Sequence, residues 1–194
     1  MKKYLTLSLL FFSVNLYSQN IDIRLLREIN LNRNKNLDNS FRFITNTAAP
    51  IAISTPVVLL GISLIKRDSV MLCKSIYIGA TVLSAAIITT TLKHSINRTR
   101  PFVTYTYLEK KTSGGSPSFP SGHTSDAFSL ATSVSIAYPK WYVIAPAYTW
   151  ASAIGYSRMH LGVHFPSDVL AGALIGAGSA YLCYKGQQWL NKKR

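Results

Sequence analysis

The chain has 194 residues, 48% of them apolar and only 14% charged, with a mean hydropathy of +0.17. Ordinary soluble domains carry about 25% charge, so the composition excludes intrinsic disorder, and the length allows one domain with a short appendage. Lys and Arg number 21 against 7 Asp and Glu, a net charge of +14, which implies an anionic partner: nucleic acid, an anionic membrane or a phosphorylated substrate.

Met1-Lys2-Lys3 followed by the apolar run Tyr4 to Val14 has the form of a secretory signal over residues 1–18, or of an uncleaved first membrane helix. In either case the chain after Asn20 starts on the outer side of the membrane, which argues against a nucleic-acid partner. Residues 19–45 then read as short amphipathic helices. Ile21, Leu25, Leu26 and Ile29 recur at helical spacing between Asp22, Arg24, Arg27 and Glu28. This first piece either lies on the membrane surface or packs on a core.

Five weakly polar, almost uncharged segments follow: Asn46 to Ile65, Ile76 to Leu92, Ala127 to Tyr138, Tyr142 to Tyr156 and Val169 to Tyr184. A single short segment of this kind could be the buried helix of a soluble protein. Five behind an export signal predict an all-α fold, a helical membrane bundle of about five core helices over residues 46–184, with a basic tail over 185–194. Parity then puts Lys66, Arg67, Lys74, Lys140, Lys185, Lys192, Lys193 and Arg194 on the inner side, opposed only by Asp68, as the positive-inside rule requires. Cys73 and Cys183 fall near that inner end, have no metal-ligand spacing and read as structural.

The same topology collects the unusual polar residues at the outer end. Lys93, Arg100 and Arg158 bring three cations, two of them planar forks suited to phosphoryl oxygens. Ser121 and Gly122 precede a helix, where backbone N–H groups can face an anion. His164 lies four residues before Asp168, with Pro166 placed to start a helix between them. Asp168 could accept from His164 Nδ1–H, leaving Nε2 as a nucleophile, and His123 would then be free to protonate a leaving oxygen. No metal or other cofactor is required, because fixed cations can stabilise a transferring phosphoryl group.

Lys93 with six residues before Arg100-Pro101, then Pro120-Ser121-Gly122-His123, then Ser157-Arg158 with five residues before His164 and three before Asp168, resembles the type 2 phosphatidic acid phosphatase (PAP2) superfamily over about residues 40–184. The run Leu161 to Gly172 resembles its membrane lipid-phosphatase branch. The resemblance implies a phosphatase acting on a lipid phosphate or lipid pyrophosphate at the outer face of a bacterial-type inner membrane. It further implies that His164 forms a phosphohistidine, Asp168 orients it and His123 is the general acid, while Lys93, Arg100, Ser121, Gly122 and Arg158 bind phosphate. A soluble secreted acid phosphatase and a vanadium haloperoxidase share such motifs, and a non-catalytic binder of anionic lipid would share the charge. His94 and His160 read as structural. The loop from Phe102 to Phe119 is expected to act as lid and specificity element, with Lys110 and Lys111 either steering a headgroup or simply solvated.

Overall fold

A computed structural model describes residues 21–192, so the signal segment and the last two basic residues lie outside the described residues. Every regular element among the described residues is helical. They are α1 (21–31), a 3-10 turn at Lys35–Leu37, α2 (Asp38–Asn46), α3 (Ala48–Lys66), α4 (Ser69–Ile96), α5 (Pro101–Thr104), α6 (Gly122–Ala137), α7 (Trp141–His160) and α8 (Pro166–Lys192).

The five long helices coincide with the five apolar segments, and α4, α7 and α8 extend beyond theirs at both ends. Helix α4 starts seven residues earlier than its apolar run because Asp68 caps it, accepting from Val70 N and Met71 N. Lys74 stays inside the helix by resting its ammonium 4.3 Å from the Tyr138 ring. Helix α8 runs on through the basic residues to Lys192.

Helix α6 is central and packs against α8, α7, α4 and α3. It can be central because its buried positions are small: Ala127, Ser129, Ala131 and Ser133. Facing it, Gly172 and Gly176 form a GxxxG pair on α8. A Cβ at Gly172 would come 2.5 Å from Ser121 O, and one at Gly176 would come 2.5 Å from Ser125 O. The two backbones therefore meet as in membrane helix pairs, where close packing rather than apolar burial drives association. The outward faces carry Ile53, Val57, Ile65, Ile76, Leu83, Leu170, Leu174 and Leu182, all exposed. Such a continuous aliphatic surface suits lipid rather than water. Two helical stretches, Lys35–Lys66 and Ser69–Thr104, are long and apolar enough to cross a membrane.

Helix α1 buries a mixed face rather than its whole apolar stripe. Asp22, Leu26 and Asn30 are buried, while Ile21 and Leu25 are exposed. The reason is the partner surface, which is made of loops rather than helix flanks. Leu26 packs with Leu108 and Phe165. Asn30 accepts from Glu109 N at 2.9 Å and donates to Glu109 O and His160 O at 3.1 and 3.0 Å. A buried amide with every contact answered fixes a helix as firmly as an apolar stripe. Helix α1 thus packs on these loops and leaves Ile21, Leu25 and Leu31 exposed.

Candidate active site

Because the long helices alternate in direction, the last turns of α4 and α7 and the first turns of α6 and α8 share one end of the bundle. Lys93 closes α4, Arg100 precedes α5, Gly122 and His123 open α6, Arg158 ends α7, and His164 lies just before α8. With residues 113–116 these six line one cavity of about 190 Å³. Three cations and no carboxylate face it, and the free N–H groups of the first turn of α6 add to the positive field.

His164 is buried at the cavity wall. Its Nε2 is 3.4 Å from Arg100 Nη1, and its Nδ1 is 3.5 Å from Asp168 Oδ2. A guanidinium only donates, so Nε2 faces it as the acceptor and the ring proton is assigned to Nδ1, toward the carboxylate. The Asp168 separation is an ion-pair distance, longer than a hydrogen bond. Catalytic contacts of this kind commonly tighten only when substrate is bound. Burial pulls the His164 pKa down to about 3; Arg100 and Arg158 push the same way, against Asp168. The imidazole is therefore neutral at ordinary pH, as a nitrogen nucleophile must be.

Asp168 is fully buried yet has partners on both oxygens. Oδ1 accepts from Arg98 Nη1 at 2.7 Å, and Oδ2 accepts from Phe165 N at 2.9 Å and from the Ser118 hydroxyl. Its own main-chain carbonyl accepts from Ser121 N at 3.0 Å, which locks α8 to the start of α6.

The long loop crosses the cavity mouth as a strap of carbonyls. Lys93 Nζ donates to Pro117 O at 2.7 Å and Arg100 Nε to Ser116 O at 2.7 Å, while Arg158 Nη2 reaches Ser113 O at 3.4 Å. Each cation thus meets a neutral dipole rather than a charge. Arg158 is 2% exposed, and its Nε is a buried donor with no partner among the described residues. A buried unpaired guanidinium N–H is costly unless an anion arrives to accept from it.

Of the residues expected from sequence, Lys93, Arg100, Gly122, His123, Arg158 and His164 come together at the cavity, and Asp168 stands behind His164. Ser121 is not in the lining: its backbone N–H, expected to face an anion, donates to Asp168 O at 3.0 Å, and its hydroxyl pairs with Thr124 Oγ1 at 2.9 Å. His94 is exposed, and His160 contacts Asp38 rather than the cavity. Lys110 lies over the Phe102 ring and Lys111 pairs with Glu109. Sequence reasoning missed Arg98, Ser118 and Asp22. Arg98 stands inside the six-residue spacer of the first motif and could have been noticed as a third basic residue there. Ser118 and Asp22 carry no comparable signal.

A family model described as the PAP2 superfamily matches residues 74–192. The lipid A 4'-phosphatase of Bacteroides thetaiotaomicron is 33% identical over 88 residues, 45% of this chain and 39% of that protein. An undecaprenyl-diphosphatase of Sulfolobus acidocaldarius is 31% identical over 194 aligned positions, covering 92% of this chain and 88% of its own. The chain thus spans less than half of the first of these relatives and most of the second. Among solved structures, LpxE of Aquifex aeolicus superposes with a TM-score of 0.75 at 28% identity, over 85% of this chain and 95% of that one. A transmembrane PAP2-type phosphatidylglycerolphosphate phosphatase from Bacillus subtilis superposes at 0.74 and 24% identity, over 97% and 98%.

Proposed function

The chain belongs to the PAP2 superfamily, and on that premise we propose that it is a membrane phosphatase that removes phosphate from a lipid phosphate or lipid diphosphate through a phosphohistidine on His164. The supporting observation is the charge-unbalanced cavity: Lys93, Arg100 and Arg158 face it with no opposing carboxylate, beside a neutral buried imidazole whose Nε2 points among them. A phosphoryl group is the ligand that answers all of these features. Its nonbridging oxygens take the places of the strap carbonyls and accept from the unpartnered Arg158 Nε.

In the first step His164 Nε2 bonds to phosphorus as the phosphorus–oxygen bond to the lipid breaks. His123, whose pKa burial and then Arg158, Arg100 and Lys93 lower to about 4, takes up a proton as the phosphate anion offsets those cations and gives it to the departing oxygen. The imidazole becomes cationic at that moment, and Asp168 behind Nδ1 stabilises it. In the second step His123 takes a proton from water as that water attacks phosphorus. The nitrogen–phosphorus bond breaks, and His164 returns to neutral. Lipid entry fits an inner-membrane, multi-pass arrangement in which residues 46–184 form the catalytic unit, residues 1–18 direct export and the site opens to the periplasm. The cluster of inner-side Lys and Arg residues supports that orientation. The relatives' names put lipid A phosphates and undecaprenyl diphosphate first among the substrates to try, with phosphatidylglycerophosphate and phosphatidic acid behind them.

The test is phosphate release by the detergent-purified full chain in excess EDTA, on each of these lipids and a soluble aryl phosphate, beside His164→Ala. Release that persists in EDTA and is lost in the variant is expected, with a lipid preferred to the aryl phosphate. Release surviving in His164→Ala would overturn the phosphohistidine. Release only from the aryl phosphate would favour a soluble-type phosphatase, and none at all a binding protein.

A further inference from the structure

We propose that Arg98 is a positioning residue for this reaction and that Asp22, in the N-terminal helix, holds Arg98 in place; the inference rests on the phosphatase reading above. Arg98 is not among the residues lining the catalytic cavity. Its guanidinium is instead fixed from four sides. Nη1 donates to Asp168 Oδ1 and to Ser167 Oγ, both at 2.7 Å. Nη2 donates to Asp22 Oδ2 at 2.8 Å. The face of the group lies 4.0 Å from the centroid of the Phe165 ring. Asp22 in turn accepts from Ser167 N at 2.8 Å and from the Ser167 hydroxyl. One carboxylate and one guanidinium therefore hold Ser167, the residue immediately before Asp168.

The chemistry explains why this bracket matters to turnover. Asp168 must be ionised, and most so when the His164 ring turns cationic on phosphorylation. A fully buried carboxylate without a counter-ion would be unstable in that form. Arg98 supplies the counter-ion on Oδ1, the oxygen away from His164, so Oδ2 is left to face the imidazole. A planar fork pinned at both ends fixes the carboxylate plane as well as its charge, which a lysine could do only in part. Asp22 supplies the second anchor, and this makes α1 a working part of the site.

The test uses the full-length protein in detergent, with Arg98→Gln, Arg98→Lys and Asp22→Asn compared by kcat, KM and inhibition by inorganic phosphate. Arg98→Gln is expected to lower kcat by roughly 100-fold while KM and phosphate inhibition stay within about three-fold. Arg98→Lys should restore about ten-fold of that loss, and Asp22→Asn should cost about ten-fold in kcat alone. Thermal melts separate these effects from unfolding, and Asp22→Asn keeps the proposal open to refutation if Arg98→Gln does not fold. An unchanged kcat in Arg98→Gln would overturn the proposal while His164→Ala remained dead and the phosphatase reading stood. KM and phosphate inhibition weakening in step would also overturn it, since Arg98 would then be binding substrate. A wild-type protein that releases no phosphate would remove both.

Discussion

Two polar clusters share one end of the bundle, and they differ in whether their charges are matched. In the cavity, Lys93, Arg100 and Arg158 meet carbonyls, a serine and a threonine hydroxyl and imidazole, and no carboxylate. In the brace beneath α1 and α2, four cations meet carboxylates. Arg33 pairs with Asp38 and Glu109, Lys35 and Lys111 pair with Glu109, and Arg98 pairs with Asp22 and Asp168. Matched charge is how a fold holds loops together. Unmatched buried charge is tolerated where a ligand of the other sign completes it. Few acidic residues are available in this chain, and nearly all of those near the site serve the brace. The consequence is an electropositive cavity beside a neutral scaffold.

The sharpest way to break that comparison is to remove one unmatched cation. Arg158→Ala is expected to lower kcat by roughly 10²–10³-fold, the usual cost of losing a donor to developing phosphoryl charge. Inorganic phosphate should inhibit the variant more weakly. A melt distinguishes this from collapse, because Arg158 also donates to Thr45 Oγ1 at 2.9 Å. If Arg158→Ala turned over normally, the cavity would be something other than an anion site.

A middle-sized effect is expected at the strap. A Cβ on Gly114 would come 2.7 Å from Arg100 Nη1 and 3.0 Å from its Cζ. The guanidinium could swing away easily were it free, but Ser116 O and Val163 O hold it at 2.7 and 2.9 Å. Gly114→Ala should therefore displace either the strap or the fork, costing about 1–2 kcal/mol, or roughly ten-fold in kcat/KM. The loss should fall mainly on KM if the strap is the lid that substrate phosphate must exchange with. A loss confined to kcat would separate the strap from binding.

What the sequence made legible follows the same division. The unmatched cations and both histidines were readable, because chemistry concentrates rare side chains at helix ends and alternating helices bring those ends together. The strap was readable only as a flexible loop: its contacts to Lys93, Arg100 and Arg158 are made by carbonyl oxygens, which any residue possesses. The buried side of α1 was misleading for a related reason. Ile21, Leu25, Leu26 and Ile29 announce an apolar stripe, of which Leu26 is buried, but Asp22 and Asn30 find hydrogen-bond partners 76 to 145 positions away, and no local pattern foretells those. Ser121 shows the converse, since its place in a motif did not reveal that Thr124 would take its hydroxyl.

The smallest effect is the one that tests the brace as a brace. Glu109 accepts from Arg33 at 2.7 Å and Lys35 at 2.9 Å, with Lys111 at 3.1 Å, and these cations, Arg33 foremost, hold its carboxyl down at about pKa 2. Being depressed, the carboxylate contributes stability that is present above its ordinary pKa near 4.5 and is lost as pH falls from there toward 2. Glu109 is partly exposed, so solvent screens the pairs and the contribution is modest. Glu109→Gln is expected to lower the melting temperature slightly at pH 7, less so in high salt, and to narrow toward wild type as pH drops below 4. Turnover should stay within about two-fold, as it should for Lys111→Ala, because both residues belong to matched charge. Losses comparable to that of Arg158→Ala in either variant would mean that the two clusters act as one, and that the carboxylates of the brace set the field of the cavity from outside it.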